Sequence, residues 1–325
     1  MSVGVGASIH RSTAEAAYTR AVARGPRPEI IEVRSKDGTR IHTEAYGPVD
    51  APVIVLSHGI LCRLAFWRNQ IFDLAGDHRV IAFDHRGHGR SQAAPARAYT
   101  FDHLADDLHA VLCTAVPDGR PAVVAGHSMG GIAVMSWAER YPQDIDSRIA
   151  AVALVNTTPG EILDHLRFLR GPERLIPLRR RTAQTVAPLA RMPLPKHLPL
   201  RRQLLTRVAV GPGADPAVTA EVDRMLAGTS TRGRGGYGNL LVNMVHTVDP
   251  SKITAPTMVI AGRYDRISPP SRSEWIAERL PNLLELRTFD SGHCGPLERP
   301  AEVSASLREL ADTYCGTTTP KAAGQ

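Results

Sequence analysis

The chain has 325 residues, 43% hydrophobic and 22% charged, with a formal net charge of +7. Those proportions are ordinary for a globular protein large enough to bury a substantial core, and no apolar run approaches the roughly 18–20 residues needed to span a bilayer. The four cysteines, at 62, 113, 294 and 315, are scattered without a C-x-x-C pair; they suggest neither a zinc site nor a disulfide framework and read as free thiols in a reducing cytoplasm.

The chain opens on MSVGVGASIHRSTAEAAYTRAVARG, which lacks the charged start and apolar stretch of a secretory signal. Ser12 and Glu15 form an S-x-x-E pair before an alanine-rich stretch, so residues 1–26 read as an N-terminal helical extension. EIIEVRS and RIHTEAYG follow as two strands paired about the turn KDG. PVIVLSHG, RVIAFDHRG, PAVVAGHS and AAVALVNTT are continuous apolar runs that end in polar or glycine-rich residues, the mark of strands buried on both faces. FDHLADDLHAVLCTAV and GGIAVMSWAERYP have helical spacing and separate them. This alternation predicts a mostly parallel, doubly wound α/β sheet.

Between about Thr158 and Pro250 the strand signal stops. Prolines at 172, 177, 188, 193, 195, 199, 212 and 216 cut this region into short helices and bends. We read residues 158–250 as an inserted helical cap. Ligands of such sheets bind at the carboxyl ends of the strands, so an insertion leaving a strand there stands over the site as a lid. His165 to Ala214 holds eleven Arg or Lys and one acid, Glu173, a local charge of about +10 against close to −3 elsewhere. A solvated basic face, an anionic substrate or peripheral contact with an anionic membrane surface each accounts for it. With no aromatic beyond Phe168 it does not read as a nucleic-acid surface. GTSTRGRGGYGN lacks G-K-[ST] and a preceding strand, so it reads as a flexible connection and not a phosphate loop. PTMVIAGRYD, SRSEWIAERL, LLELRTFDSGH and a last helix from about Ala301 to Tyr314 restore the α/β texture. The core thus takes residues 27–157 and 251–315, and residues 316–325 read as a disordered tail.

Gly126-His127-Ser128-Met129-Gly130 fits G-x-S-x-G with a strand before it and a helix after it. A serine at so tight a turn is exposed on a strained backbone, and small neighbours let adjacent chain segments approach. The dipole of the following helix favours negative charge developing nearby. A serine hydroxyl needs a base, and the base needs orienting. Asp265, in AGRYDRISP, and His293, in FDSGHCGPLERP, each lie just past a strand end. All three therefore gather at one rim of the sheet.

On these motifs and their order the chain resembles the α/β-hydrolase superfamily over nearly all of residues 27–315. The resemblance implies an α/β-hydrolase fold, a mostly parallel eight-stranded sheet with the cap inserted. It implies Ser128 as nucleophile, His293 as general base and acid, and Asp265 as the carboxylate that sets the imidazole tautomer. Some members draw that acid from the end of the earlier strand; here the position is near Asn156, which is uncharged, and Asp290 is too close to His293 in sequence. The oxyanion donors implied are the backbone N–H groups of Met129 and of Ile60, which follows the pair His58-Gly59. Ile60, Leu61 and Met129 would make the acyl pocket apolar, Leu61 and His127 are assigned to substrate binding, and His58 is read as structural. DHRGHGRS matches the family's D-x-R-G-x-G-x-S loop, in which Asp84, Arg86 and Ser91 organise the loop.

Serine at the elbow argues against epoxide opening and dehalogenation, which use aspartate there. A cap rich in Leu, Val, Ile and Met between arginines suits a lipophilic acyl ester, and the expected partner is such a small molecule. Thioester cleavage, peroxidase-like chemistry and hydrolysis of carbon–carbon bonds in diketone or dienoic acids use the same triad and stay open, as does a non-catalytic receptor or scaffold. No cofactor or metal is implied.

Overall fold

The computed structural model describes residues 25–160, 199–244 and 248–315. The predicted N-terminal helix, the C-terminal tail and residues 161–198 of the basic segment lie outside the described residues.

Eight strands form one sheet in the order β1-β2-β4-β3-β5-β6-β7-β8. In chain order these are β1 Glu29–Arg34, β2 Arg40–Tyr46, β3 Val53–Ser57, β4 Arg79–Phe83, β5 Ala122–His127, β6 Ile149–Val155, β7 Thr257–Gly262 and β8 Leu283–Phe289. β1 and β2 form the expected antiparallel hairpin and β2 runs antiparallel to β4, while the other neighbours are parallel. Every residue of β3, β4, β5 and β7 is buried, as their unbroken apolar runs predict. The edge strand β8 instead has no fully buried residue.

The principal helices are α1 Arg68–Leu74, α2 Phe101–Ala115, α3 Met129–Arg140, α4 Pro199–Ala209, α5 Pro216–Gly228, α6 Thr231–Val242, α7 Pro270–Ala277, α8 Gly295–Glu298 and α9 Pro300–Tyr314. Alternate strand residues feed two cores. Val55, Val124, Val152 and Leu154 meet Leu108, Leu112 and Trp137 on the side of α2 and α3. Ile54, Leu56, Val123 and Val155 meet Trp67, Leu74, Val303 and Leu307 on the side of α1 and α9. The two-residue period of a strand puts neighbours on opposite faces, so one apolar run supplies both cores. Among the described residues no helix is long and apolar enough to cross a membrane.

One expectation fails. The glycine-rich stretch read as a flexible connection is helix α6, capped where the Ser230 Oγ accepts the Gly233 N–H at 3.0 Å. Its glycines are required by packing. A Cβ at Gly233 would stand 2.3 Å from the Gly87 carbonyl oxygen, and one at Gly236 would stand 2.4 Å from the Tyr99 ring. Close approach of the helix to the core outweighs the weak helix propensity of glycine, about 1 kcal/mol per residue against alanine.

Candidate active site

β5 delivers Ser128 to a turn before α3, with φ 53° and ψ −119°. A non-glycine residue in that region costs on the order of 1–3 kcal/mol and persists only where its surroundings hold it. Here the Ser128 N–H donates to the Val155 carbonyl at 3.0 Å, and the Thr157 hydroxyl donates to the Ser128 carbonyl at 2.7 Å. The flanking glycines leave room for the turn: a Cβ at Gly126 would lie 2.5 Å from the Gly130 oxygen, and one at Gly130 would lie 2.2 Å from the Ser57 oxygen.

The loop after β8 brings His293 to this turn, with Nε2 3.0 Å from Ser128 Oγ and Nδ1 2.9 Å from Asp265 Oδ2. A carboxylate only accepts, so Nδ1 carries the proton and the Nε2 lone pair faces the serine hydroxyl. Asp265, just past β7, is fully buried yet satisfied on both oxygens. Its Oδ1 accepts the N–H groups of Ile267 and Ser268, each at 2.8 Å. Its Oδ2 accepts the Asn156 side-chain amide at 3.1 Å besides the histidine. Four donors leave the carboxylate one orientation.

Asn156 is a site residue that the sequence reading left aside as an uncharged alternative. It sits at the end of β6 with φ 45°, buried, and donates to both Asp265 Oδ2 and the Gly292 carbonyl, each at 3.1 Å. Its position at the second acid-bearing strand end is the signal that could have found it.

Among the described residues neither the Ile60 nor the Met129 backbone N–H meets an acceptor, so both are free to bind a developing negative charge. The next amide is occupied: the Leu61 N–H donates to His88 Nε2 at 3.2 Å, and Leu61 itself is held at φ 64°. His58 is structural, donating from Nδ1 to the Gly59 carbonyl at 2.7 Å and accepting the His85 N–H at 3.0 Å. Burial holds His58 neutral down to about 4. Burial and the neighbouring His58 hold His88 neutral down to about 3. Neutral rings are what this loop needs, because each must both donate and accept.

Two side-chain assignments are corrected. His127 does not face a substrate; it is 1% exposed, its ring stacks on Phe66 at 4.4 Å, and its Nε2–H donates to the His293 carbonyl at 2.8 Å. Alternation along β5 turns His127 to the face opposite Gly126, into the sheet's packing layer. The Met129 side chain is fully buried with Tyr99, Leu104 and Tyr237, so it supports α3 and does not line an acyl pocket. Ile60 and Leu61 stay partly exposed beside the serine turn.

The loop residues bond as expected. Asp84 Oδ1 accepts the Leu64 N–H at 2.7 Å and Oδ2 the Arg90 N–H at 2.8 Å. Arg86, buried, grips Asp107 through two bonds of 2.7 and 2.6 Å, and Ser91 accepts the His42 N–H at 2.8 Å. Cys294 is buried, which pushes its thiol well up and leaves it inert. A separate cleft of about 440 Å³ lies between Arg63, Arg68, Phe72, Arg90 and Met225, and none of Ser128, Asp265 or His293 lines it. Among the described residues no group of three His, Cys, Asp or Glu is arranged to hold a metal ion.

Residues 52–181 match the family model described as alpha/beta hydrolase fold. Lipase LipV of Mycobacterium tuberculosis is 30% identical over 287 residues, covering 82% of this chain and 96% of LipV. The probable oxidoreductase EphD of the same organism is 28% identical over 309 residues, which take in 87% of this chain and 50% of EphD. The chain thus spans about half the length of that relative. A thermophilic esterase from Thermogutta terrifontis has the same fold, with a TM-score of 0.69 at 23% identity over 89% of this chain and 99% of that one.

Proposed function

The chain belongs to the α/β-hydrolase family, and on that premise we propose that it is a serine hydrolase cleaving carboxylic esters of lipophilic acyl groups. The observation that carries the reading is the unbroken relay from Ser128 Oγ through the His293 ring to Asp265, with contacts of 3.0 and 2.9 Å. The likeness to a lipase over 96% of its length supports ester substrates. We keep residues 27–157 and 251–315 as the core and residues 158–250 as the cap.

The chemistry follows from the geometry. His293 Nε2 takes the Ser128 proton as Oγ bonds to the ester carbonyl carbon, and the carbonyl π electrons move to its oxygen. The N–H groups of Ile60 and Met129 receive that oxyanion; losing one such donor commonly costs about 10²–10³ in turnover. Collapse re-forms the carbonyl and breaks the bond to the alkoxy oxygen, which leaves with the proton from Nε2. Water then repeats the sequence on the acyl-enzyme, giving the carboxylic acid and free Ser128. Asp265 stays ionised throughout, holding the ring in the working tautomer and stabilising the imidazolium that forms.

The carbon–carbon hydrolase reading uses the same triad with a polar anchor for an acidic substrate; of the basic segment's arginines, Arg202 and Arg207 are exposed. Labelling with a fluorophosphonate and mapping the modified peptide tests the nucleophile, and a chain that takes no label at Ser128 refutes the serine mechanism. Kinetics over p-nitrophenyl esters from acetyl to dodecanoyl tests the lipophilic part, which a sharp preference for acetyl overturns.

A further inference from the structure

Glu298 closes the short helix α8 that follows His293, and the helix turns its carboxylate back onto the loop it came from. Oε1 accepts the N–H groups of Gly292 and Cys294, both at 3.1 Å. These are the two residues on either side of His293. Oε2 accepts the Gly292 N–H at 3.0 Å and the Gly211 N–H, from the segment between α4 and α5, at 2.7 Å. Ala209, the last residue of α4, accepts the His293 N–H at its carbonyl, 2.9 Å away. The two backbones meet without side chains between them: a Cβ at Gly292 would stand 2.4 Å from the Gly211 nitrogen, and one at Gly211 would stand 2.8 Å from the Gly292 nitrogen.

We propose that Glu298 is a positioning residue for His293, fixing the base loop on both sides of the imidazole and clasping it to the cap, so that base and cap are set as one unit. The proposal rests on the hydrolase reading above. Asp265 sets the ring's tautomer and tilt, but the place of the ring along the rim depends on the backbone of residues 292–294. That backbone has left the sheet at Phe289, so no ladder restrains it. A carboxylate accepting several amides gives stronger bonds than neutral acceptors do. It can also bridge two chain segments, which a single carbonyl does poorly. Burial pushes the Glu298 carboxyl up even though the three amides act the other way, so the group is held there against its preference for water.

The test uses the full chain with Glu298→Ala and Glu298→Gln. For Glu298→Ala, kcat on a short p-nitrophenyl ester falls about tenfold to a hundredfold, the scale of a lost charge-assisted clasp, while KM changes less than about threefold. The low-field proton resonance of the His293–Asp265 hydrogen bond broadens or shifts. Glu298→Gln, which keeps one accepting oxygen and the same shape, recovers part of kcat and of the resonance. Should the alanine variant fail to fold, the glutamine variant carries the same readouts. Unchanged kcat, pH profile and resonance in folded variants overturn the proposal and leave Glu298 a packing residue. A parent chain that takes no fluorophosphonate refutes the hydrolase reading instead, and the resonance still decides what Glu298 does to His293.

Discussion

At the sheet rim, Ser128 and Asp265 are held by closed hydrogen bonds and by close backbone contacts at Gly126 and Gly130. The helices α4 to α6 meet the same rim through contacts between separate segments. Among them are the Gly211 clasp, the Ala209 carbonyl on the His293 N–H, Ser230 donating to the Gly87 carbonyl at 2.6 Å, and Tyr237 packed 5.5 Å from the His88 ring and 5.0 Å from the Tyr99 ring. Their outer face is exposed and charged in part, as at Arg202, which reaches the buried Asp223 at 3.1 Å. On the proposed hydrolase reading, the rim preorganises reacting atoms, so its tolerance is set by tenths of an ångström, whereas helices α4 to α6 need only keep their footing.

The largest effect expected from this contrast is at the proposed nucleophile. Ser128→Ala lowers kcat by about 10⁴-fold or more with little change in unfolding midpoint; a residual activity within tenfold of the parent breaks the picture of a rim built for one reaction. Next come two glycines chosen from the two regions. Gly130→Ala forces a methyl against the Ser57 carbonyl, 2.2 Å away, and destabilises the fold by about 3 kcal/mol or more in urea unfolding. Gly228→Ala, at the end of α5 with nothing within 4 Å, is neutral or stabilising by up to about 1 kcal/mol. Equal costs at both sites would erase the distinction.

Acid should loosen the rim. Unfolded, the buried histidines titrate near 6.5, whereas His58 and His88 stay neutral to about 4 and about 3 when folded, chiefly through desolvation. His85 and His127 are held low in the same way. Below pH 6.5 the unfolded chain therefore binds more protons, and stability falls as pH drops from 6.5 toward 4. His58 alone accounts for about 2 kcal/mol by pH 5. Glu298 and Asp107, whose carboxyls are pushed up by burial, pull the other way but are two groups against four. A denaturation midpoint that stays flat between pH 7 and pH 5 would contradict this. The smallest effect belongs to α4: Arg202→Ala removes an arginine that is 62% exposed from the buried Asp223, and costs about 1 kcal/mol or less by the same measurement.

Much of this was legible before any coordinates. The strands announced themselves because a strand buried on both faces has to be apolar throughout. The elbow was visible because a strained turn between crowded segments admits only small residues at Gly126 and Gly130. Less visible was anything that depends on what lies opposite. Arg-Gly-Arg-Gly-Gly reads locally as a loop, and is a helix because Gly87 and Tyr99 stand against it. His127 looked like a neighbour of the nucleophile, but its place in the strand turns it inward to the His293 carbonyl.

The sequence by itself determined the sheet, its helices and the three side chains offered for chemistry, because apolar periodicity and backbone strain are local properties that each residue carries with it. Only the tertiary structure decided that Asn156 donates to Asp265, that Met129 is buried with Tyr99 and Tyr237, and that Glu298 accepts amides of both Gly292 and Gly211. Those roles are set by contacts between segments far apart in the chain, such as the hydrogen bond from Asn156 to Asp265, 109 residues on. A bond of that kind exists only once folding has brought donor and acceptor within about 3 Å.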